Sequence, residues 1–248
     1  MSDNSLHDID IVILAGGQGT RLRELFPDRP KCLVPINGVL FLRHYLDWLA
    51  RFGARRVILS LGYKAQMVTD YVQSETWPGL VIESNVESTP LGTGGAVRAC
   101  LPLIKAGTAL VTNGDSVTKV DLGKFVAFHR RKHARLSMLL TYQPHVADSG
   151  LVATDADDAV TSFTEKPTDR TTGGYVSAGI YLMQRAAIAE IPADGPVSIE
   201  RDVFPRFCGR GCYAFKGKFA FIDIGTPESY QRAAEFFSEE RAGTAISS

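Results

Sequence analysis

The chain has 248 residues, of which 45% are hydrophobic, and this is enough apolar material for a sizeable core. Lys plus Arg and Asp plus Glu each number 27, so the formal net charge at pH 7 is zero. Nucleic-acid and membrane-surface partners usually require a basic excess, so we expect no nucleic acid and no membrane as a partner, and any anion site must be local.

The N-terminus and the cysteines indicate a cytoplasmic protein with reduced thiols. The first ten residues, MSDNSLHDID, are polar and acidic and lack the apolar region of a signal peptide, and no run of about 18 apolar residues follows. Cys32, Cys100, Cys208 and Cys212 match neither a disulfide framework nor paired zinc-binding motifs. The pair Cys208 and Cys212 could bind a metal, but no second pair or histidine cluster is nearby, and we expect ordinary thiols.

Strands and helices alternate in the first half of the chain. Residues 9–15 form a short run rich in Ile and Val that ends in glycines, which predicts a buried parallel strand. Apolar residues at helical spacing predict a helix over 41–53 that stops at Gly53. The same reasoning predicts, in chain order, a strand at 55–61, a helix at 65–72, a strand at 80–84, a helix at 94–105 and a strand at 109–115. This alternation is typical of an α/β fold with a mainly parallel sheet flanked by helices.

The second half of the chain is richer in strands. Its predicted strands cover 136–144, 150–154, 159–167 and 174–183, with a hairpin tip at 154–159. A helix is expected at 198–207 with Ser198 as its N-cap, and a last helix at 226–237 with Thr226 as N-cap and Pro227 in its first position. Between these helices, residues 212–225 predict a hairpin around Lys216-Gly217-Lys218. We see no linker long enough to separate domains, so we expect a single domain over 1–248.

The stretch LAGGQGTRLRELFPDRPKCLVPI, residues 14–36, follows the first predicted strand. Three glycines within four positions expose backbone N–H groups, which bind phosphates, and Arg21, Arg23, Arg29 and Lys31 add positive charge. The spacing matches neither the P-loop nor the dinucleotide-binding pattern, and a plain strand–turn–helix with surface cations is the alternative. Asp115 follows another predicted strand. Because the C-terminal ends of parallel strands meet at one edge of a sheet, we expect Asp115 to lie near the glycines.

This stretch resembles the signature of the sugar-1-phosphate nucleotidyltransferases, in which Gly-Gly-x-Gly-Thr-Arg-Leu is followed by Pro-Lys-x-Leu-x-Pro-Ile. The resemblance implies that the loop binds a nucleoside triphosphate, that Arg21 contacts its phosphates and that Lys31 stabilises charge at the reaction centre. The segment ESTPLGTGGA, residues 87–96, is similar to the family's base-recognition segment, which puts Leu91 near the nucleobase. The nucleotide-binding residues implied in this way are Leu14, Ala15, Gly16, Gly17, Gly19, Thr20, Arg21, Glu87, Gly92, Thr93 and Asn113.

Two further motifs imply a metal site. NGD, residues 113–115, and FIDIGTPESY, residues 221–230, resemble the family's metal-binding motifs, so Asp115 and Asp223 are the implied ligands of Mg²⁺. Hard carboxylate oxygens combined with substrate phosphates are what Mg²⁺ prefers. Arg21, Lys31, Asp115 and Asp223 are therefore the implied catalytic residues. Taken singly, a strand-end aspartate or Glu87 could equally be a turn or helix cap.

The sugar-phosphate site is implied by motifs of the second half. FTEKP, residues 163–167, resembles the family's sugar-phosphate segment, in which Glu165 would accept hydrogen bonds from sugar hydroxyls and Lys166 would bind the phosphate. GYVSAGIYLM, residues 174–183, resembles a strand that usually carries Asn at the place of Ser177, and a shorter Ser offers fewer donors to a sugar. Gly150 and Gly179 complete the set. A solvated charge pair at Glu165–Lys166 and plain packing glycines are the alternatives.

The resemblance covers most of the chain and implies a Rossmann-like, mixed but mainly parallel sheet of the nucleotide-diphospho-sugar transferase type. A nucleotide-binding half over about 9–135 would precede a β-rich sugar-binding half over about 136–240. The compact form, with the motifs PLGTGGA, SIERDVFP and FIDIGTPE, most resembles bacterial D-glycero-D-manno-heptose 1-phosphate guanylyltransferases, and we expect no β-helix extension of the kind that many relatives carry. Mannose-1-phosphate guanylyltransferases and N-acetylmuramate-1-phosphate uridylyltransferases are competing interpretations.

The implied reaction is attack of a sugar 1-phosphate on the α-phosphorus of a nucleoside triphosphate, with loss of pyrophosphate. No Ser-His-Asp set is evident, and His129 and His133, four apart on one predicted helix, are expected on a solvated face. A non-catalytic nucleotide-sugar sensor on the same fold is the alternative of a different class. A sensor would be expected to have lost at least one of the implied functional residues, and the sequence contains all five: Arg21, Lys31, Asp115, Lys166 and Asp223. The nucleobase, the sugar and the oligomeric state, for which a homodimer is one option, stay open.

Overall fold

The computed structural model describes residues 4–144, 150–164 and 173–244, with side chains as far as Ser238. Its strands are β1 Asp10–Leu14, β2 Pro35–Ile36, β3 Val39–Leu40, β4 Arg56–Leu61, β5 Val81–Val86, β6 Thr108–Asn113, β7 Ser116–Thr118, β8 Leu136–Gln143, β9 Leu151–Thr154, β10 Val160–Thr164, β11 Gly174–Gln184, β12 Cys212–Gly217 and β13 Phe221–Asp223. Its α-helices are α1 Phe41–Arg51, α2 Ala65–Ser74, α3 Gly92–Ala99, α4 Leu122–Arg131, α5 Arg185–Ala189, α6 Phe204–Phe207 and α7 Pro227–Thr244. Short 3-10 turns cover Leu22–Glu24 and Lys31–Leu33, and a π-helical turn, Ile199–Val203, precedes α6.

A central sheet built from both halves of the described chain organises the fold. Its main path runs β10-β9-β11-β6-β1-β4-β5, and β8 also pairs with β11 and with β12. The strands β1, β4, β5 and β6 are mutually parallel, and β11 runs antiparallel to β6. In this register Leu14 of β1 lies between Ser60 of β4 and Asn113 of β6, so three strand ends meet at one edge. The predicted α/β fold with a mixed, mostly parallel sheet is confirmed.

Helices cover both faces of the sheet and divide the core in two. On one face Tyr45 of α1, Phe125 of α4 and Phe237 of α7 belong to one buried cluster. On the other face Val97 of α3 and Phe204 of α6 belong to a second cluster. Because both faces are covered, the middle of each central strand is apolar, as in residues 11–13 of β1 and 57–59 of β4. Of the helices in the described ranges, none is long and apolar enough to cross a bilayer.

The predicted hairpin at residues 212–225 is wrong. Strand β12 pairs in parallel with β8, and β13 pairs in antiparallel fashion with β7, so the two do not pair with each other. The chain between them is held at Thr141, whose hydroxyl donates to Phe219 O at 3.0 Å and accepts from Phe219 N at 3.2 Å. The main chain of β12 thus completes the edge of the large sheet, and the chain then crosses to β7. As a result Asp223 pairs with Ser116, the residue after Asp115.

The helix predicted at 94–105 begins earlier and ends sooner, since α3 covers Gly92–Ala99. Pro102 has no N–H to donate and disfavours a helical conformation in the residue before it, so turns replace the last part of the predicted helix. Leu101 and Ile104 are nevertheless buried, as expected from their spacing.

The solvated face predicted for the histidines is wrong for His129, whereas His133 is exposed as expected. His129 on α4 is only 5% exposed, and its Nδ1 lies 2.8 Å from Ser137 Oγ of β8. Burial lowers the pKa of His129 to about 4. His133 lies beyond the end of α4 and has a positive φ of 47°, so the two residues do not share a helical face.

The predicted caps are confirmed. Ser198 Oγ accepts from Arg201 N at 3.2 Å, although the turn that it caps is π-helical rather than α-helical. Thr226 Oγ1 accepts from Ser229 N at 3.2 Å at the start of α7. The tip between β9 and β10 is closed by Asp155, whose carboxylate accepts from two backbone N–H groups of the same turn.

Candidate functional site

A cavity of about 590 Å³ lies at the C-terminal ends of β1, β4 and β6. Ligands of open α/β sheets bind at this edge, so the cavity is where the topology leads us to expect a site. The residues predicted from the sequence that line it are Leu14, Gly16, Gly17, Glu87, Gly92, Thr93, Asn113 and Asp115. The fold thus gathers two predicted segments, the glycine loop and the base-recognition segment, around one space.

Other predicted nucleotide residues lie beside this cavity rather than in its wall. Ala15 is buried where β1 ends, and its N–H donates to Ser60 O at 2.8 Å. Thr20 and Arg21 are exposed. Gly19 packs against the side chain of Lys31, whose Cβ lies 3.3 Å from an ideal Cβ position on the glycine.

The glycine loop is anchored to the turn that follows β4. Gly16 O accepts from Tyr63 N at 3.1 Å. Arg23 Nη2 donates to Gln18 O at 3.1 Å, and the Arg23 guanidinium lies 4.6 Å from the centre of the Tyr63 ring. The loop backbone is therefore fixed at both ends before any ligand arrives, which favours tight anion binding.

The lysine of the signature reaches the first of the predicted metal ligands. Lys31 Nζ donates to Asp115 Oδ2 at 2.8 Å, and the two side chains are 14% and 43% exposed. An ideal Cβ position on Gly225 lies 3.3 Å from Lys31 Nζ and 2.7 Å from Asp223 Oδ1. Ile224 N donates to Asp115 O at 2.8 Å, so the two aspartates stand on hydrogen-bonded neighbouring segments.

The two aspartates offer a donor set that suits a hard divalent cation. Asp223 Oδ1 accepts from Gly225 N at 2.7 Å and from Ser229 Oγ at 3.3 Å, which fixes the orientation of that carboxylate. Asp115 lines the cavity. No group of three or more His, Cys, Asp and Glu side chains placed to hold a metal occurs in the described part of the chain. Two carboxylates with the remaining ligands from phosphate oxygens and water match the coordination that Mg²⁺ adopts in nucleotide enzymes.

The ionisable groups beneath this site stay neutral near pH 7. Burial raises the pKa of the Tyr45 hydroxyl, which is hydrogen-bonded to Thr112 Oγ1 under the end of β6. Burial also raises the pKa of the Cys32 thiol, next to Lys31, to about 12. Charge at this end of the cavity is therefore carried by Lys31, Asp115 and Asp223, which are all partly exposed.

Glu87 accepts hydrogen bonds from within the predicted base-recognition segment and from β4. Its Oε2 accepts from Leu91 N at 3.1 Å, and its Oε1 accepts from Ser60 Oγ at 3.3 Å. Gly92 has φ of 70°, and an ideal Cβ on it would lie 2.6 Å from Val197 O, so only glycine fits there. Glu87 thus acts as a loop cap and also presents a carboxylate to the cavity.

The predicted sugar-phosphate residues are only partly described. Glu165 and Lys166 lie outside the described residues. Gly150 packs against the ring of Phe163, whose Cζ lies 2.5 Å from an ideal Cβ position on the glycine.

Ser177 and Gly179 lie next to an irregularity in the pairing of β11 with β8. Ser177 Oγ lies 2.8 Å from Tyr181 Oη and accepts from Gly179 N at 3.2 Å, so its hydroxyl is engaged within the strand. Gly179 has φ of 71°, and an ideal Cβ on it would lie 2.6 Å from Asn113 Nδ2. The missing side chain of Gly179 therefore leaves the room that the Asn113 amide occupies at the wall of the cavity.

Sequence reasoning missed part of the cavity wall. The additional lining residues are Gln18, Ser60, Gly62, Tyr63, Ser88, Thr89, Pro90 and Ala96. Three of them, Ser60, Gly62 and Tyr63, follow the same logic as the glycine loop, because they lie at the C-terminal end of the parallel strand β4. That signal was present in the sequence, but its use requires knowing that β4 is adjacent to β1.

Comparisons with known proteins show which family the chain and its fold resemble. The family model described as nucleotidyl transferase matches residues 10–240. A mannose-1-phosphate guanylyltransferase from Mycobacterium tuberculosis is 36% identical over 92% of this chain, which spans 64% of that protein's length. A D-glycero-alpha-D-manno-heptose 1-phosphate guanylyltransferase from Campylobacter jejuni is 32% identical over 88% of this chain and 96% of its own length. The crystal structure of HddC from Yersinia pseudotuberculosis complexed with GMP-PN superimposes with a TM-score of 0.81 at 36% identity, covering 92% of this chain and 99% of that one.

Proposed function

The chain belongs to the nucleotidyl transferase family, and on this premise we propose that it is a sugar-1-phosphate guanylyltransferase. One observation carries the proposal. The Lys31 ammonium contacts Asp115 at 2.8 Å beside Asp223, at the margin of the glycine-lined cavity. A cation and two carboxylates at the end of a phosphate-binding loop are the groups that a phosphoryl or nucleotidyl transfer needs.

In the proposed reaction an oxygen of the sugar 1-phosphate attacks the α-phosphorus of the nucleoside triphosphate. A new P–O bond forms as the bond between the α-phosphorus and the oxygen that bridges to the β-phosphorus breaks, and pyrophosphate leaves. The attacking phosphate is already an anion, so no general base is required. Catalysis is then positioning and charge stabilisation, with Arg21 and Lys31 neutralising the phosphates and Lys166 holding the sugar phosphate.

We assign Mg²⁺ as the divalent ion, held by Asp115 and Asp223. When bound, the ion would neutralise the phosphate oxygens and polarise the α-phosphoryl group. The hydrogen bonds of Asp223 to Gly225 and Ser229 keep one oxygen of that carboxylate engaged, so the other is the one available to a ligand.

Guanine is the proposed base. The relatives from Campylobacter jejuni and Mycobacterium tuberculosis are both named as guanylyltransferases. The Glu87 carboxylate in the cavity wall is an acceptor, and guanine offers an N–H and an amino group on one edge. Uracil offers one N–H between two carbonyl oxygens, which a carboxylate would repel.

D-glycero-D-manno-heptose 1-phosphate is the first proposed sugar substrate, because the Campylobacter jejuni relative carries that name. Mannose 1-phosphate is the second, from the name of the Mycobacterium tuberculosis relative. Their identities to this chain, 32% and 36%, do not rank the two sugars.

Pyrophosphate release tests the proposal. Purified protein with Mg²⁺ is incubated with each of four nucleoside triphosphates and with heptose, mannose, glucose and N-acetylmuramate 1-phosphates, and kcat/KM is compared across pairs. We expect GTP with the heptose phosphate to give the highest value. Lys31→Met should lose about 100-fold or more in kcat, while Lys124→Met, which removes an exposed lysine paired with Asp121, should not change it.

Absence of turnover with every pair, together with tight binding of a nucleotide sugar, would support the sensor interpretation instead. A preference for mannose 1-phosphate would keep the reaction class and replace the sugar.

A further inference from the structure

The segment 197–203 lies against the part of the base-recognition segment that lines the cavity, and main-chain hydrogen bonds join the two. Val197 N donates to Leu91 O at 2.8 Å. Gly94 N and Gly95 N both donate to Val197 O, at 2.8 and 3.2 Å. We call residues 197–203 the platform.

Close packing leaves no slack at this contact. Ile199 N donates to Thr93 Oγ1 at 2.9 Å, and Thr93 lines the cavity. An ideal Cβ on Gly94 would lie 3.0 Å from both Val197 Cγ1 and Val203 Cγ2. A shift of the platform would therefore move the cavity wall with it.

Two side chains on the outer surface hold the platform in shape. Ser198 Oγ accepts from Arg201 N at 3.2 Å, and Ser198 N donates to Asp202 Oδ2 at 2.7 Å. The turn that they close is π-helical, a conformation that is rare and occurs mostly in single turns. This reciprocal capping resembles the box that stabilises helix N-termini. Neither side chain lines the cavity.

We propose that Ser198 and Asp202 are positioning residues that set the affinity for the nucleoside part of the substrate. They act through the platform, whose hydrogen bonds to residues 91–95 fix the wall against which the base and ribose bind. The inference rests on the proposed function only in taking the cavity as the nucleotide site. The platform follows β11 and α5, so the second half of the chain shapes the nucleotide end of the site.

The experiment compares Ser198→Ala, Asp202→Ala and the conservative Ser198→Thr with wild type. Asp121→Ala is the matched control, since Asp121 Oδ1 caps α4 by accepting from Lys124 N at 3.0 Å and does not line the cavity. Three quantities are measured: amide hydrogen exchange at residues 91–95 without ligand, the Kd of a non-hydrolysable GTP analogue by calorimetry, and KM for each substrate with kcat.

Ser198→Ala and Asp202→Ala should each speed exchange at residues 91–95 and raise the Kd of the analogue and the KM for GTP about fivefold, the effect of one lost cap. The KM for the sugar phosphate and kcat should change less than twofold, Ser198→Thr should restore wild-type values, and Asp121→Ala should change none of them.

The proposal is overturned if exchange at 91–95 is unchanged in both alanine variants, or if the KM of the sugar phosphate changes in place of that of GTP. Equal exchange effects in Asp121→Ala would also overturn it, because a cap remote from the cavity would then suffice. Failure of the proposed function would appear separately, as absence of turnover in the wild type, and the exchange measurement would still decide the role of the platform.

Discussion

Replacing Gly179 by alanine should destabilise the protein and disturb the cavity through Asn113. The residue has φ of 71°, and an added Cβ would lie 2.6 Å from Asn113 Nδ2 and 3.2 Å from Ser116 Oγ. The left-handed conformation costs alanine about 1–2 kcal/mol, and overpacking adds roughly 1–3 kcal/mol. The sum is about 3 kcal/mol. For a protein of this size that corresponds to a fall in Tm of roughly 6–12 °C.

Chemical denaturation of Gly179→Ala measures the change in the free energy of unfolding, and Gly79→Ala isolates its backbone component. Gly79 has φ of 73° with nothing within 4 Å of an added Cβ, so that variant should lose only about 1–2 kcal/mol. The double variant Gly179→Ala with Asn113→Ala removes the amide that the new methyl group meets. The double variant should recover most of the difference in the free energy of unfolding between Gly179→Ala and Gly79→Ala.

The reasoning would be refuted if Gly179→Ala cost no more than Gly79→Ala, or if truncating Asn113 recovered nothing. The first result would mean that the clash is relieved at no cost, and the second that another atom carries it. Nucleotide affinity should fall in Gly179→Ala as well, since a displaced Asn113 would enter the cavity that it lines.

Three further predictions concern groups outside the cavity. Burial lowers the pKa of His129 to about 4, so below pH 6.5 the unfolded chain binds a proton more readily than the folded protein does. The free energy of unfolding should therefore fall by up to about 3 kcal/mol as the pH is lowered from 6.5 to 4. Urea titrations should show this slope in the wild type and a flatter one in His129→Gln; equal slopes would contradict it. Asp10 is 6% exposed, and its carboxylate accepts hydrogen bonds from two backbone N–H groups near Arg56. Asp10→Ala should therefore lower the free energy of unfolding by about 3–5 kcal/mol in the same assay. A loss below about 1 kcal/mol would be inconsistent with a stabilising role of this buried carboxylate. Cys208 has intermediate exposure, and the other three cysteines are buried. A thiol reagent should therefore label Cys208 first in the native protein, and this fast labelling phase should disappear in Cys208→Ser. An equal labelling rate in the variant would contradict the prediction.

Much of the fold was accessible from local patterns. The run of Ile and Val before the glycines predicted β1, and the caps at Ser198 and Thr226 follow from side-chain hydrogen bonds within four residues. The sequence pattern failed to predict burial where contact with a separate element determines it. His129 is buried because α4 packs against β8, in which Ser137 Oγ lies 2.8 Å from the Nδ1 of His129.

The candidate site divides in the same way. The sequence alone determined which residue types cluster after β1 and β6, because glycines, cations and aspartates at strand ends are local features of the chain. The tertiary structure decided that β13 lies beside β7 rather than β12, which brings Asp223 next to Asp115 and Lys31. It also decided that β4 adjoins β1, which adds Ser60 and Tyr63 to the cavity wall. The physical reason is that backbone hydrogen bonds can join any two strands. Which strands pair is therefore decided by burial of the whole sheet and not by the residue sequence of either strand alone.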